Sequence, residues 1–270
     1  MSPRSLSRRA LVGGATAAAA FSTLRIARPA VFADEDATQL LQAAAKAMTE
    51  LASFNFLVQN EGGTTKLLNI VELKSVEGAV LRPDSFHAQA TAKVAVLTLK
   101  VDIIGIDGDL YVSDPTAPAG TYLALSTTGT EGVDIASVIN PDALILKSVT
   151  VVENPKVDGT AKIGDVETTK VSGTVVLQKV IDLAGVATPT PTAETTETPT
   201  EPQLVLDQPL DTTLWIDGEN RIRRIRLIGA ILTSDDPGIA RRIDFSKFNE
   251  PVTIEAPANA TPMPSGPGGP

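Results

Sequence analysis

The stretch SFHAQATAKVAVLTLKVDIIGIDGDLYVS, residues 85–113, decides the fold class of this chain. Over residues 86–94 apolar and polar side chains alternate strictly. After a turn near Ala95-Val96 the parity changes, and residues 97–103 alternate again, with Asp107-Gly108 as the next turn. This period is typical of half-buried antiparallel strands, so the stretch predicts a hairpin followed by a further strand.

Further segments on both sides of this hairpin carry recognisable periods. Residues 34–52 have apolar side chains at helical spacing, and residues 131–147 read as helical around a break at Asn140-Pro141-Asp142. Residues 53–60 and 213–216 alternate like strands. A succession of alternating strands, with helices at the start and between strand groups, predicts an α+β fold with a large antiparallel sheet and helices on one face.

Composition limits the chemistry of the protein. Hydrophobic residues make up 43% of the chain and aromatic residues only 4%, so aliphatic side chains must fill the interior. The chain has no cysteine, which excludes disulfides, thiolate metal sites, a cysteine nucleophile and a lipid anchor attached to a cysteine of this chain. With a single histidine, His87, most multi-histidine metal centres are excluded too. We therefore predict no cofactor and no metal site.

The first 33 residues have the pattern of an export signal. Arg8-Arg9 precede an apolar run at 10–24. In Val31-Phe32-Ala33, the two positions that a signal peptidase reads hold a β-branched and a small residue, which predicts cleavage between Ala33 and Asp34. The paired arginines are similar to those of a twin-arginine signal; an ordinary secretory signal and an uncleaved anchor are the alternatives. The pattern predicts an extracytoplasmic protein, secreted or in the cell envelope, that is soluble after cleavage and is not a lipidated lipoprotein.

We predict one domain over residues 34–255. Residues 188–202 are rich in Thr, Pro and Glu and are expected to be a disordered loop, and the Pro/Gly-rich residues 256–270 a disordered tail. Removal of the five signal arginines leaves 23 − 5 = 18 basic and 32 acidic residues, a net charge of −14. Such a charge repels nucleic acid, which we exclude as a partner.

No catalytic constellation is evident, and we predict that the protein is not an enzyme. His87 lies on the polar face of a predicted strand, and no Gly-x-Ser-x-Gly motif is present. The favoured interpretation of His87 is an exposed strand residue.

Two features remain unexplained by these exclusions. The aliphatic faces of the strands and helices either close as core or enclose an apolar cavity, and the sequence alone leaves both open. The chain also contains a basic cluster, which comprises Arg221, Arg223, Arg224, Arg226, Arg241 and Arg242. Strand spacing places Arg224 and Arg226 on one strand face. This face is either solvated and paired with acids, or a site for anionic headgroups.

Several motifs, in order, resemble the LppX/LprAFG family of bacterial envelope lipid-binding proteins. They lie at residues 99–112 with IDGDLY, 134–142 (DIASVINPD), 164–173 (GDVETTKVSG), 213–217 (TLWID) and 245–252 (FSKFNEPV). The resemblance implies a curved antiparallel sheet, a half-barrel of the LolA/LolB type, with helices over its concave face and an apolar cavity between them. This chain departs from the family in lacking the lipidated cysteine.

The resemblance further implies that the protein binds a diacyl or triacyl lipid or glycolipid and carries it across the bacterial envelope, with transient contact to the membrane or an envelope transporter. The alternative is a non-transporting sensor or interaction module of the same fold that binds a protein or an acylated partner. Arg224 and Arg226 are the headgroup candidates. The candidate cavity residues on the sheet are Leu97, Leu99, Val101, Ile103, Ile225 and Leu227, and those on the helices are Val138, Ile139, Leu144 and Leu146.

The export signal yields the first testable prediction. In a native-like host we expect the mature protein to begin at Asp34, as N-terminal sequencing will determine. Replacing Arg8 and Arg9 by Lys should block export because twin-arginine transport reads the arginine pair. A protein that stays in the cytoplasm with Met1 intact would contradict the export prediction, and unchanged export of the Lys variant would contradict the twin-arginine part.

Overall fold

The computed structural model describes residues 34–67, 70–125, 147–184, 203–236 and 238–262. Within these ranges the chain forms thirteen strands, two helices and a helical turn at 147–150. The helices are α1 (Asp34–Thr49) and α2 (Leu177–Ala184). The strands are β1 (Ser53–Glu61), β2 (Thr65–Leu67), β3 (Val71–Leu81), β4 (Ser85–Val94), β5 (Leu97–Ile106), β6 (Asp109–Ser113), β7 (Tyr122–Leu125), β8 (Glu153–Ile163), β9 (Val166–Val176), β10 (Pro209–Asp217), β11 (Ile222–Ile228), β12 (Ala240–Ser246) and β13 (Ala260–Pro262).

All thirteen strands belong to one sheet. Their order is β13-β7-β6-β5-β4-β3-β1-β12-β11-β10-β9-β8, and β2 pairs with β3 beside this path. Every pairing is antiparallel except that of β13 with β7. The sheet is curved and does not close on itself, because β13 and β8 are not paired with each other. The predicted fold class, an α+β protein with a large curved antiparallel sheet, is confirmed.

The hairpin that decided the fold class is formed as its alternation predicts. β4 and β5 pair without interruption from Ser85 opposite Ile106 to Val94 opposite Leu97. Its two-residue turn has Ala95 at φ 52°, and the next turn has Asp107 at φ 51° and Gly108 at φ 87°. Two successive positive φ values are the geometry that joins antiparallel strands most tightly, and Asp-Gly is a favoured pair for it.

The strand register divides the sheet into two chemically different faces. Directly opposed residues share a face, so Phe56, Gly78, Ala88 and Ile103 lie in one row across β1, β3, β4 and β5. We call this side the apolar face. The opposite side, which we call the polar face, carries the intervening residues of the same strands, such as Glu77 and Gln89.

Helix α1 contributes one stripe of side chains to the hydrophobic core. Its buried residues recur at intervals of three or four: Ala37, Leu41, Ala44 and Met48. They form a single cluster with aromatic residues of the apolar face, among them Phe54 and Phe245, whose rings meet edge to face at 6.0 Å. The guanidinium of Arg82 donates to the carbonyl oxygens of Thr49 and Leu51 and thereby supplies hydrogen bonds to carbonyl groups at the C-terminal end of the helix.

Two strand glycines make room for the aromatic core. A Cβ atom at Gly105 would lie 2.2 Å from Cε1 of Phe86, and one at Gly78 would lie 2.8 Å from Cζ of Phe56. Each ring therefore occupies the space where a side chain of the neighbouring strand would stand. The rings of Phe56 and Phe86 are almost completely buried and belong to the same core cluster as the apolar stripe of α1.

The pairing of β1 with β12 joins the early and late parts of the chain. It runs over seven residue pairs, from Asn55 opposite Ser246 to Glu61 opposite Ala240. At one end the Asn249 side chain accepts from the backbone N–H of Ala52 at 2.7 Å, and the Asn249 N–H donates to the carbonyl of Ser53. The pairing of β1 with β12 therefore joins β3–β7 and β8–β11 into one sheet.

One sequence expectation differs from the structure. Residues 260–262 lie in the stretch predicted to be a disordered tail but form β13, because their backbone groups find partners on the edge of β7. The export signal, residues 188–202, residues 263–270 and most of the predicted helical region 131–147 lie outside the described residues. The division into signal, domain, loop and tail otherwise remains a prediction.

The two outermost strands are short or irregular. β13 has three residues and ends at Pro262. In β8 the register against β9 shifts twice, between Glu153 and Lys156 and between Val157 and Thr160. Within this strand Asn154 and Gly159 adopt positive φ angles of 49° and 87°.

We predict that Gly105→Ala lowers the free energy of unfolding by about 1–3 kcal/mol, because the new methyl group forces the ring of Phe86 out of its site. Urea unfolding at pH 7 measures this. Gly218→Ala is the matched control, since a Cβ there meets no atom within 4 Å, and should change stability by less than ~0.5 kcal/mol. Equal stability of the two variants would contradict the packing role of Gly105.

Candidate functional site

An apolar cavity of about 270 Å³ lies between α2 and the end of the sheet formed by β9–β12. Nine of its ten lining residues are aliphatic, and none carries a charge. They are Ser148, Val175, Leu177, Val180, Ile181, Leu204, Leu210, Leu227, Ile231 and Ile243. A space walled in this way excludes polar ligands and favours hydrocarbon, because it has almost nothing to offer a hydrogen-bonding group.

The position of α2 follows from where β9 ends. The helix begins at Leu177, directly after the last residue of the strand, and turns Val180 and Ile181 inward while Leu183 stays exposed. The backbone N–H of Gln178 donates to the carbonyl of Leu206 at 3.0 Å. This bond ties the first turn of the helix to residues 203–206, which form another wall of the cavity.

Residues 203–206 are held in turn by the connection between β11 and β12. The N–H of Val205 donates to the carbonyl of Ile231 at 2.8 Å, and the N–H of Thr233 donates to that of Gln203 at 2.9 Å. Leu204 and Leu232 form a bridge between these bonds. The aliphatic side chains of the wall are therefore carried by a paired backbone.

A buried carboxylate organises the β11–β12 connection. Oδ2 of Asp235 accepts from Nη2 of Arg241 at 2.6 Å and from the N–H groups of Ile231 and Leu232 at 2.8 Å each. Oδ1 of Asp235 accepts from the Thr65 hydroxyl at 2.9 Å. We call Asp235, Arg241 and Thr65 the Asp235 cluster. The side chain of Asp235 is fully buried and that of Arg241 is 12% exposed.

The Asp235 cluster keeps its carboxylate ionised. Burial raises the pKa of Asp235, but the hydrogen bond from Arg241, the backbone donors of Leu232 and Ile231 and the charge of Arg241 lower it by more, so the pKa lies below its ordinary value. Next to it, Asp236 accepts from the N–H and hydroxyl of Thr64, which also lower the pKa of Asp236. Together the two acids attach the β11–β12 connection to the chain that follows β1.

The structure separates the six sheet residues predicted to line a cavity. All six lie on the apolar face, since Leu97, Leu99, Val101 and Ile103 alternate along β5 and Ile225 and Leu227 along β11. Leu227 lines the cavity. Ile225, 2% exposed, belongs to the closed core.

The four β5 candidates are less enclosed. Leu97 is exposed at the hairpin tip, and Leu99, Val101 and Ile103 are half-buried. The helix candidates Val138, Ile139, Leu144 and Leu146 lie outside the described residues, as does Ala33; Asp34 is the first residue of α1. The roles predicted for these positions therefore remain predictions.

The headgroup candidates lie on the polar face, on the other side of the sheet from the cavity. Nε of Arg224 donates to Asp244, and Nε of Arg226 donates to Glu61 at 3.1 Å. Arg242 lies between these pairs and contacts both Glu61 and Asp244. The hydrogen bond from Arg226 is the largest influence on Glu61 and, although burial opposes it, the pKa of Glu61 lies below its ordinary value. The arrangement matches the paired, solvated face, one of the two alternatives that the sequence left open, and the headgroup role of Arg224 and Arg226 stays a prediction.

His87 has a neighbour that ties it to the next strand. Its Nε2 lies 3.1 Å from Oδ1 of Asp102, which also accepts from Gln89 at 3.0 Å. These three residues occupy the polar face of the β4–β5 pair, as the alternation predicts. Among the described ranges no group of three or more His, Cys, Asp or Glu is placed to hold a metal ion.

Sequence reasoning missed most residues of the cavity wall. Val175, Leu210 and Ile243 belong to strands whose inward residues look alike, and the alternation does not mark which of them are left uncovered. Val180 and Ile181 lie on a short helix whose apolar side was visible in the sequence. The run Leu204-Val205-Leu206, directly after the Thr/Pro/Glu-rich stretch, was the available signal for the remaining wall. Among the described helices none is both long and apolar enough to span a bilayer.

Comparisons with known proteins agree with this architecture. Residues 36–201 match the model of the family described as LppX_LprAFG lipoprotein. The lipoarabinomannan carrier protein LprG of Mycolicibacterium hassiacum is 24% identical over 228 residues, which cover 83% of this chain and 85% of LprG.

Two crystal structures are similar in fold. LprF from Mycobacterium bovis has 22% identity and a TM-score of 0.54, with 83% of this chain and 98% of that chain covered. LppX from Mycobacterium tuberculosis has 18% identity and a TM-score of 0.51, with 83% and 100% covered. The matches confirm the family resemblance noted in the sequence.

We predict that Asp235→Asn lowers the free energy of unfolding by about 3 kcal/mol at pH 7, because it leaves the guanidinium of Arg241 buried without its countercharge. The stabilisation from a lowered carboxyl pKa is complete above the unfolded value of about 3.9 and is lost as the pH falls through the folded value. The stability difference between wild type and variant should therefore shrink on acidification below about pH 4.

Urea unfolding across pH 2–7 measures both effects. The exposed Asp207→Asn is the matched control and should change stability by less than ~0.5 kcal/mol. A difference between wild type and Asp235→Asn that does not vary with pH would contradict the role assigned to the ionised carboxylate.

Proposed function

This chain belongs to the LppX_LprAFG lipoprotein family, and we propose on that premise that it binds the acyl chains of a lipid or glycolipid and carries them across the bacterial cell envelope. The observation that supports this most directly is the aliphatic cavity between α2 and the sheet. Each methylene group removed from water there contributes about 0.8 kcal/mol, so hydrocarbon alone supplies affinity without a specific polar contact.

The size of the cavity suggests how a ligand is arranged. A volume of about 270 Å³ suits part of one acyl chain rather than two complete chains. Half-buried aliphatic residues continue the apolar face beyond the cavity, on β1 with Val58, on β3 with Val76 and on β5 with Val101. We propose that the ligand occupies the cavity with one chain and extends along this face with the rest.

The chemistry of the lining favours a carrier over an enzyme. Nine of the ten lining residues are aliphatic, and none of the ten has a titratable side chain. We therefore propose that the ligand leaves chemically unchanged. A diacyl or triacyl lipid or glycolipid is the ligand class that we propose, because the similar protein LprG is a lipoarabinomannan carrier.

The place of action that we propose is outside the cytoplasm, in the cell envelope or secreted. The basic, apolar and Val-Phe-Ala order of the first 33 residues supports this proposal, as does membership of a lipoprotein family. The chain has no cysteine to carry the acyl anchor, so we propose a soluble carrier.

Leu227→Trp tests the cavity. We expect the larger side chain to fill space beside α2, to reduce bound lipid at least about tenfold and to change the free energy of unfolding by less than ~1.5 kcal/mol. Ile225→Trp, two residues away on the same face, is the matched control: in the closed core it should destabilise the fold by about 1–3 kcal/mol through overpacking.

Native mass spectrometry of protein recovered from its own host, followed by lipid extraction, measures the bound lipid. Urea unfolding measures the stability of the same samples. Wild-type protein that contains no lipid and takes up no fluorescent phospholipid would contradict the carrier and favour the interaction module. Unchanged lipid content in a folded Leu227→Trp variant would move the binding site away from this cavity.

A further inference from the structure

Three large apolar side chains stand in solvent at one end of the strands. Val96 is 89% exposed, Ile70 67% and Leu97 64%, the three largest values among the large apolar side chains of the described residues. We call Ile70, Val96 and Leu97 the hydrophobic tip. Single exposed apolar residues are ordinary, but several of them at adjacent strand ends form a candidate contact surface.

The strand register brings the three residues together. Val94 at the end of β4 lies opposite Leu97 at the start of β5 and, on its other side, opposite Val71 at the start of β3. Ile70 directly precedes Val71, and Val96 is part of the two-residue turn between β4 and β5. The tip is therefore formed by the adjacent ends of three strands.

Four exposed lysines lie in the strand segments that lead to the hydrophobic tip. The segments 64–75 and 91–101 contain four lysines and one carboxylate, Glu72, whereas the whole chain has a net charge of −9. Register places Glu72 between Lys66 and Lys93. Glu72 accepts from Lys74 at 2.7 Å, which is the main reason its pKa is lowered. The four exposed lysines are Lys66, Lys74, Lys93 and Lys100.

The hydrophobic tip and the cavity lie at the same end of the strands. β4 and β1 both run toward the tip, and β12 begins at Ala240 opposite Glu61, the last residue of β1. The β11–β12 connection, which includes the cavity residue Ile231, is therefore at this end. Leu210 and Val175, opposite each other on β10 and β9, belong to this end as well.

From this placement we propose that the hydrophobic tip and its four lysines dock on an anionic lipid surface. The apolar side chains enter the boundary between headgroups and acyl chains, and the lysines lay their stems along it while their ammonium groups contact anionic headgroups. The cavity end of the sheet then faces the lipids. The inference deepens the proposed function by assigning a membrane-contact surface, but docking can occur whether or not the cavity holds lipid.

Charge complementarity selects a lipid surface over other occupants. The net negative charge of the chain opposes approach to anionic lipid, but charges are screened beyond about 8 Å at physiological salt. At contact, the four lysines outnumber Glu72, the one carboxylate in the segments that form the tip. Binding should therefore require anionic lipid and should weaken as salt is raised.

Vesicle sedimentation tests the docking surface. Protein recovered from one host in one processed form is mixed with phosphatidylcholine vesicles, either pure or with a third of phosphatidylglycerol. Wild type should bind the mixed vesicles more tightly, and Val96→Asp combined with Leu97→Asp should weaken that binding at least about tenfold, since two apolar contacts are lost and two repulsive charges gained. Thr160→Asp with Thr253→Asp adds the same charge at exposed positions elsewhere and is the matched control.

A second pair of variants isolates the lysines. Lys93→Gln with Lys100→Gln should reduce the preference for phosphatidylglycerol vesicles at least about fivefold, because each basic residue near the surface contributes to anionic binding. Lys156→Gln with Lys162→Gln on β8 removes the same charge at exposed sites outside the tip and should leave the preference unchanged.

The outcomes separate docking from cargo binding. The docking proposal is overturned if wild type binds neither kind of vesicle, or if a folded tip variant binds vesicles like the control. A wild type that fails to bind vesicles but whose tip captures another protein overturns it in favour of a protein partner. Lipid content, measured by native mass spectrometry, reports on the cavity alone. A tip variant that loses vesicle binding but takes up lipid from detergent as wild type does supports docking, and a docking-competent protein without cargo would contradict only the carrier.

Discussion

The pairing of β1 with β12 is the contact on which the rest of the structure depends. Each strand has a second partner, β3 for β1 and β11 for β12, so their shared ladder is the seam between the two parts of the sheet. Phe54 and Phe245 meet on the apolar side of this seam, and Glu61 meets Arg242 on the polar side. The hydrophobic core and the ion pairs are thus both centred on one stretch of backbone hydrogen bonds, which positions α1, the cavity wall and the tip relative to one another.

The two faces of the sheet differ in how their charged side chains are paired. On the polar face arginines and carboxylates alternate across the strands. At the end of this face Asp217 forms ion pairs with both Arg221 and Arg223, and the ring of Phe248 lies against their guanidinium groups. These pairs neutralise the basic cluster in place. On the apolar face the Asp235 cluster is the charged exception, and its complete pairing lets a carboxylate sit beside an aliphatic cavity without opening it to water.

The range of each interaction along the chain explains which features the sequence predicted and which it did not. The β4–β5 hairpin and the Asp107-Gly108 turn depend on neighbouring residues, so alternation and turn chemistry were sufficient. The same alternation placed Ile225 and Leu227 on one face, but their different surroundings depend on α2 and on residues 203–206, which approach from elsewhere in the chain. The partners of Arg224 and Arg226 could not be predicted from the sequence either. Asp244 and Glu61 come close to these arginines only after β1, β11 and β12 have paired. No local pattern marked β13 as a strand, since its three residues take their partners from β7.

The irregular outer strands have a consequence for how these molecules behave toward one another. An open sheet presents unpaired backbone groups at two edges, and a straight edge invites a strand of another molecule to continue the ladder. At one edge Pro262 lacks the N–H such a ladder needs. At the other, the two register shifts and the positive φ angles of Asn154 and Gly159 bend β8 out of the flat form that a second strand would match. Among the described residues, both outer strands therefore present an edge that a strand of another molecule matches poorly, while the face of the sheet remains open to a ligand.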